Sequence, residues 1–162
     1  MRIGHGFDIH PLAEGHRLML GGVEVPSQFG SVGHSDADAV LHALADALLG
    51  ALALGDIGEW FPDTDPAFKN ADSARLVKTV LAEVTRLGAA VENVDVTVYL
   101  EKPKLGALKS KIRSSIAAVL GVDVTRVAVK ARTFEGFGAI GRGTAVAATA
   151  VVLLDSPPGG KP

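Results

Sequence analysis

Apolar and polar positions recur along this chain with two different periods, and the changes of period mark its elements. Arg2 to His10 alternates loosely and predicts a strand. Arg17 to Leu20 and Val23 to Val25 flank Gly21-Gly22, a hairpin signal with glycines free to take positive φ. Residues 30–33 read as a loop. Ser35 followed three residues later by Asp38 resembles a capping box, with Asp in place of Glu. It predicts a helix to about Leu54, stopped by Gly55. That helix is apolar on almost every side and is expected to be deeply buried. Asp72 or Ser73 caps a second helix with the stripe Leu76, Val77, Val80, Leu81 and Val84, ended by Gly88. Val94, Val96, Val98 and Leu100 alternate with polar residues, as in a strand with one wet face. Leu105, Leu108, Ile112, Ile116 and Leu120 mark a third helix, ended by Gly121. Val127 to Ala131 is a short strand. Thr144 to Leu154 is a long apolar strand expected to be buried on both faces. This order predicts an α+β fold, a mixed β-sheet with helices packed on one face.

The chain has 162 residues, 48% apolar and 21% charged, which suits one packed domain over residues 1–155. Residues 156–162 (SPPGGKP) are expected to form a flexible tail. Sixteen basic against 18 acidic side chains argue against a general electrostatic grip on nucleic acid or anionic membrane. The absence of cysteine excludes disulfides, thiolate metal sites and a cysteine nucleophile. Residues 1–10 lack a signal-peptide pattern, and no apolar stretch reaches the ~20 residues of a membrane span. The expectation is a soluble cytoplasmic protein. Aromatic residues are only 5% of the chain, so association between subunits is one way to complete its apolar surface.

Several residues could carry chemistry. Asp8 and His10 are two apart on a strand and share one face. Catalytic zinc commonly takes three protein ligands and keeps one open position. Asp8 and His10 supply two, and His42 on the apolar helix is the natural third. The same residues also read as a surface Asp beside a hydrogen-bonded His, and as a core histidine with a satisfied ring. Asp46, one turn after His42, is either its orienting partner or a carboxylate without a site role. Residues 34–38 (HSDAD) precede a helix start, where free N–H groups favour anions. Plain capping accounts for Ser35 and Asp38 but less well for His34. Residues 55–70 (GDIGEWFPDTDPAFKN) form a long loop of the kind that is usually functional or mobile. Its Asp56, Asp63 and Asp65 could bind hydroxyls or a cation, or simply make turns. Glu101-Lys102-Pro103-Lys104 follows a strand end and offers two lysines to phosphate, or a solvated charge pair. Residues 130–138 (KARTFEGFG) and 141–143 (GRG) join glycine turns to Lys130, Arg132, Glu135 and Arg142, a set suited to phosphate oxygens and a hard cation. Neither a Walker loop nor a GxGxxG helix start is present.

Taken together, RIGHGFDIH (2–10), residues 33–66 (GHSDADAVLHALADALLGALALGDIGEWFPDTDP), NVDVTVYLEKPKL (93–105) and VKARTFEGFGAIGRG (129–143) closely resemble the 2-C-methyl-D-erythritol 2,4-cyclodiphosphate synthase family of the non-mevalonate isoprenoid pathway. The resemblance spans all but the tail. It implies a homotrimer with active sites between subunits, without nucleic-acid or membrane partners. It implies Asp8, His10 and His42 as ligands of zinc or another divalent transition metal. Glu135 would hold Mg²⁺ or Mn²⁺, and His34 and Thr133 would stabilise the transition state. It further implies that Asp8, His10, His34, Ser35, Asp56, Ile57, Gly58, Phe61, Pro62, Asp63, Thr64 and Asp65 hold the erythritol phosphate portion. Leu100, Lys104, Leu105, Gly106, Ala131, Arg132, Thr133, Phe134, Glu135 and Arg142 would hold the cytidine diphosphate from the adjoining subunit. Arg132, Ala139, Thr144 and Ala37 depart from the commonest family residues (Thr, Phe, Glu and Gly), and none of these removes a proposed metal ligand.

The reaction implied is catalysed by a phosphorus–oxygen lyase. The substrate's 2-phosphate attacks the β-phosphorus of its own cytidine diphosphate, CMP leaves and a cyclic diphosphate forms. Such chemistry needs positioning and charge compensation rather than an activated water. A metal phosphohydrolase and a non-catalytic trimeric metal- or nucleotide-binding module are the competing expectations. The first is told apart by solvent oxygen in its product, the second by binding without turnover.

Overall fold

The computed structural model describes residues 1–68 and 70–155; the tail, 156–162, lies outside the described residues. Strand β1 (Arg2–Glu14) runs four residues beyond His10. Strands β2 (Leu18–Leu20) and β3 (Val23–Val25) form the expected hairpin, with Gly21 and Gly22 at φ 62° and 75°. The segment read as a loop at 30–33 contributes β4 (Phe29–Ser31), which pairs antiparallel with the extension of β1. Three residues centred on a glycine are too few to show an alternation. Helix α1 (Ala39–Leu52) starts four residues after Ser35 because Asp38 itself is the N-cap. Two short helical pieces, α2 (Ile57–Trp60) and a 3₁₀ turn (Pro66–Phe68), order the long loop. Then come α3 (Ser73–Arg86), capped by Asp72, and β5 (Ala90–Tyr99). Helix α4 (Lys109–Leu120) begins one turn later than its apolar stripe, because Leu105 and Leu108 belong to the turn before it. A 3₁₀ turn (Val124–Arg126), β6 (Val127–Arg132), α5 (Gly138–Gly141) and β7 (Ala145–Asp155) complete the order.

The sheet runs β4-β1-β7-β5-β6, antiparallel except for the parallel β5–β6 pair, whose crossover is α4. It is therefore mixed, as expected. Helix α1 lies against β1 and β7, α3 packs on α1, and α4 covers β6. Leu41, Leu44, Leu48 and Leu49 of α1 are fully buried, each worth ~1.5–3 kcal/mol relative to exposure. The expected two-faced burial of β7 holds only near its start. There Ile140 of α5 and Tyr99 of β5 cover Ala145 and Ala147 on the second face. Farther along, that face opens. On β1 it presents Ile3, Phe7 and Ile9, which are 71%, 51% and 47% exposed.

Two glycines set how closely α1 approaches β1. A Cβ on Gly4 would stand 1.8 Å from Ala47 O, and one on Gly6 would stand 2.0 Å from Ala43 O. Space, not φ, demands glycine at both positions. Gly4, Gly6, Asp8 and His10 share the helix-facing side of β1. The strand thus carries its acid and imidazole toward the first turn of α1, where His42 waits.

Candidate active site

Three side chains meet where β1 passes the start of α1. Asp8 Oδ2 stands 2.8 Å from His10 Nε2 and 3.0 Å from His42 Nδ1, and the two ring nitrogens are 3.1 Å apart. All three residues are partly buried, and this is the one such cluster among the described residues. Ligands 2.0–2.1 Å from a single tetrahedral ion stand about 3.3 Å from one another. The triangle is therefore the right size for one small divalent ion, and its one carboxylate and two imidazoles are donors that zinc accepts.

The triangle is also electrostatically committed. Burial pushes the Asp8 carboxyl up, but hydrogen bonds and charge from His10 and His42 outweigh it and hold Asp8 well below the usual carboxylate range. Burial likewise pushes the His42 ring down, and the bond to Asp8 with its charge overcomes this and raises it. With no ion bound, these shifts favour an ion pair between Asp8 and His42. With an ion bound, the cation takes the place of the proton shared between them.

Behind His42 the structure favours the second of the two readings of Asp46. Its carboxylate accepts the Ile57 N–H at 2.8 Å and holds the start of α2 rather than the ring. The ring's Nε2 instead stands 3.0 Å from both Ser35 Oγ and Ser73 Oγ. Ser73 is the first residue of α3, and both its hydroxyl and its N–H donate to Asp36. Neither Ser73 nor Asp36 was legible as part of the site, because they are 37 residues apart and each doubles as an ordinary helix-start residue. Asp38 accepts from Val40 and Leu41 N–H and also from Gly21 and Gly22 N–H, fastening the hairpin to α1. Ala37 takes a left-handed φ of 54° in the turn that carries His34.

A cavity of about 420 Å³ opens beside the triangle, lined by His10, His34, Ser35, His42, Ile57, Gly58, Phe61, Pro62 and Asp63, with Phe68 and Leu76 in addition. Those last two are apolar positions that the sequence marked only as turn and helix stripe. Asp56, Thr64 and Asp65 lie off this lining. Asp56 caps α2 through the Glu59 N–H, and Asp65 accepts the Ala67 N–H.

A second cavity, about 350 Å³, lies at the C-terminal ends of β5 and β6. Leu100, Lys104, Leu105, Gly106, Ala131, Arg132, Thr133 and Glu135 line it as a group, and Lys109 joins them. Thr133 donates to the Glu135 carboxylate, and Glu135 sits at a left-handed φ of 48°. Such a conformation costs a non-glycine residue roughly 1–2 kcal/mol and tends to persist at functional positions. Phe134 packs edge-on against Tyr99 outside this lining, and Arg142 follows α5, also outside it. The two cavities share no lining residue.

Comparison with known proteins shows the family and the fold. The YgbB family profile matches residues 1–155. The 2-C-methyl-D-erythritol 2,4-cyclodiphosphate synthase of Geobacter metallireducens is 53% identical over 155 residues, covering 96% of this chain and 99% of that protein. A solved structure of the bifunctional IspDF from Campylobacter jejuni superposes with a TM-score of 0.92 at 42% identity, over 96% of this chain; this chain spans only 42% of that longer protein. A CDP-bound structure of a 2C-methyl-D-erythritol-2,4-cyclodiphosphate synthase superposes with a TM-score of 0.89 at 40% identity, over 95% of this chain and all of that one.

Proposed function

The chain belongs to the YgbB family, and from that premise we propose that it performs the reaction for which its relatives are named, closing a 2,4-cyclodiphosphate with loss of CMP. The observation that carries this reading is the meeting of Asp8, His10 and His42 within 3.1 Å of one another beside a cavity that also holds His34. The reaction joins two phosphates already on one substrate. The protein must fold that substrate and offset the repulsion between its anionic ends.

When bound, zinc at Asp8, His10 and His42 and Mg²⁺ or Mn²⁺ at Glu135 supply Lewis acidity and charge neutralisation to the phosphate oxygens. The first cavity holds the methylerythritol phosphate, with His34 and Ser35 donating to oxygen and Ile57, Phe61, Phe68 and Leu76 excluding water from its carbon skeleton. The second holds the cytidine diphosphate, with Lys104 and Arg132 against its charge. The Thr133 hydroxyl donates to Glu135; with that carboxylate turned to a divalent cation, the hydroxyl would be free to donate to a phosphate oxygen as charge develops there. Glu135 brings a single carboxylate, which suits a cation whose other ligands come from substrate phosphates.

The substrate needs both cavities, and one chain keeps them separate. A homotrimer in which the first cavity of one copy meets the second cavity of the next satisfies that need. The exposed apolar row Ile3, Phe7 and Ile9 suits a face buried between copies. The CDP held by the related synthase supports a cytidine nucleotide as ligand. Our reading is of a cytoplasmic, metal-dependent lyase; among the described residues no helix is long and apolar enough to cross a membrane. The test is to supply 4-diphosphocytidyl-2-C-methyl-D-erythritol 2-phosphate with Zn²⁺ and Mg²⁺ in ¹⁸O-water. CMP and a cyclic diphosphate free of solvent oxygen are expected. Labelled product indicates a phosphohydrolase, and CDP binding without turnover indicates a binding module.

A further inference from the structure

We propose that Ser73, anchored by Asp36, is a positioning residue that presents His42 Nδ1 to the metal. The inference rests on the metal reading above and goes beyond it, because it assigns a task to the start of α3, a helix that contributes no ligand.

The Ser73 hydroxyl donates to Asp36 Oδ1, so its proton is taken. Its oxygen lies 3.0 Å from His42 Nε2 and can therefore only accept there, which places the ring hydrogen on Nε2. In the neutral imidazole this leaves the Nδ1 lone pair facing Asp8 Oδ2 and His10 Nε2, the tautomer that ligation requires. Ser35 Oγ stands 3.0 Å from the same nitrogen, but it already accepts the Ala37 N–H at 3.1 Å and has no anchoring carboxylate. Ser73 is fully buried, so no water competes for its oxygen.

Asp36 makes the arrangement rigid. Its Oδ2 accepts the Ser73 N–H at 3.2 Å, and its own N–H donates to Ala71 O at 3.0 Å. Asn70 N–H reaches His34 O at 2.8 Å. The turn carrying His34 and the start of α3 are thus stitched together, and the ring of His42 is held from the side opposite the ion.

Removing the hydroxyl leaves Nε2–H with one adaptable acceptor. Partners of this kind typically contribute 10–100-fold to metal affinity. The test measures zinc affinity by chelator competition, and the visible spectrum of the Co²⁺-loaded protein, for the parent, Ser73→Ala, Asp36→Ala and the double variant. Circular dichroism and thermal unfolding of the metal-free proteins confirm folding. Ser73→Ala is expected to lose zinc affinity about 10–100-fold with an altered cobalt spectrum. Asp36→Ala frees the serine to donate to Nε2 and is expected to weaken zinc similarly, with the double variant little worse than either single one. Should Ser73→Ala unfold, Asp36→Ala and Ser73→Thr decide the matter, the threonine retaining parent affinity to within a few-fold. A folded Ser73→Ala or Asp36→Ala with parent affinity and an unchanged cobalt spectrum overturns the proposal while leaving the metal site intact. Failure of the parent itself to take up either metal overturns both.

Discussion

Replacing Gly6 by Ala tests whether the packing of α1 on β1 builds the metal centre. The new Cβ would stand 2.0 Å from Ala43 O, 2.9 Å from Ala43 C and 2.9 Å from Ala47 N. All three atoms are helix backbone and cannot turn aside as a side chain would. Restoring even a 3.0 Å contact requires the helix and strand to part by about 1 Å locally. Overpacking of this sort costs typically 1–3 kcal/mol, and more where only backbone can yield. Ala43 directly follows His42, so the displacement is delivered to a ligand whose donor must meet Asp8 and His10 within a few tenths of an ångström. The expected result is a lower unfolding midpoint together with a loss of zinc affinity larger than the stability loss alone explains. Gly4→Ala is the control. Its Cβ strikes Ala47 O and Ala51 N, farther along the helix from His42, and should destabilise with a smaller effect on zinc. Thermal unfolding and chelator competition on both variants decide the matter. A Gly6→Ala protein with parent stability and parent zinc affinity would refute the reasoning.

Other consequences follow from single residues. His42→Ala removes one of three ligands and should abolish tight zinc binding by the folded protein; substantial zinc retention would refute the ligand assignment. Thr133→Ala should slow turnover by more than it raises KM, and an unchanged kcat would remove its assigned role. Asp38→Ala strips the acceptor from four backbone N–H groups, two of them in the hairpin turn, so urea unfolding should show a loss above the ~0.5–2 kcal/mol of an ordinary N-cap. The ion pair makes the metal-free protein sensitive to pH at both ends. Asp8 is depressed below its ordinary 3.8, so its contribution is present above that value and fades as pH falls through the depressed one. His42 is raised above 6.5, so its contribution is full below 6.5 and fades as pH rises through the raised value. The unfolding midpoint of metal-free protein should therefore decline on the alkaline side, and zinc, which binds better as the proton leaves, should remove that decline. Equal alkaline slopes with and without zinc would contradict this.

What could be read from the amino-acid order is what depends on neighbours in sequence. The period of three to four between apolar residues located α3 and α4, a capping signal with a glycine stop located α1, and strict alternation located β5. Gly21-Gly22 announced the hairpin, and the Asp8-x-His10 spacing put two donors on one side of a strand, because period two is a local property of extended backbone. The resemblance of whole segments to a known family reached farther: it gave definite roles to His42, Lys104, Arg132 and Glu135, which the residues alone offered only as candidates.

Tertiary structure decided the rest. Strand β4 exists because β1 offers an edge to pair with, not because residues 29–31 alternate. Asp38 rather than Ser35 caps α1 because a buried carboxylate there also receives two N–H groups from a hairpin 16 and 17 residues away. The orienting partner of His42 is Ser73 and not the nearby Asp46, since α3 returns its first residue to the ring while Asp46 is drawn to the start of α2. Gly4 and Gly6 gained their meaning only when a helix backbone was found against them. Helical and extended periods are set within a few residues, but a contact between distant residues is settled by which surfaces the packed chain can bring together without voids, clashes or unpaired polar groups.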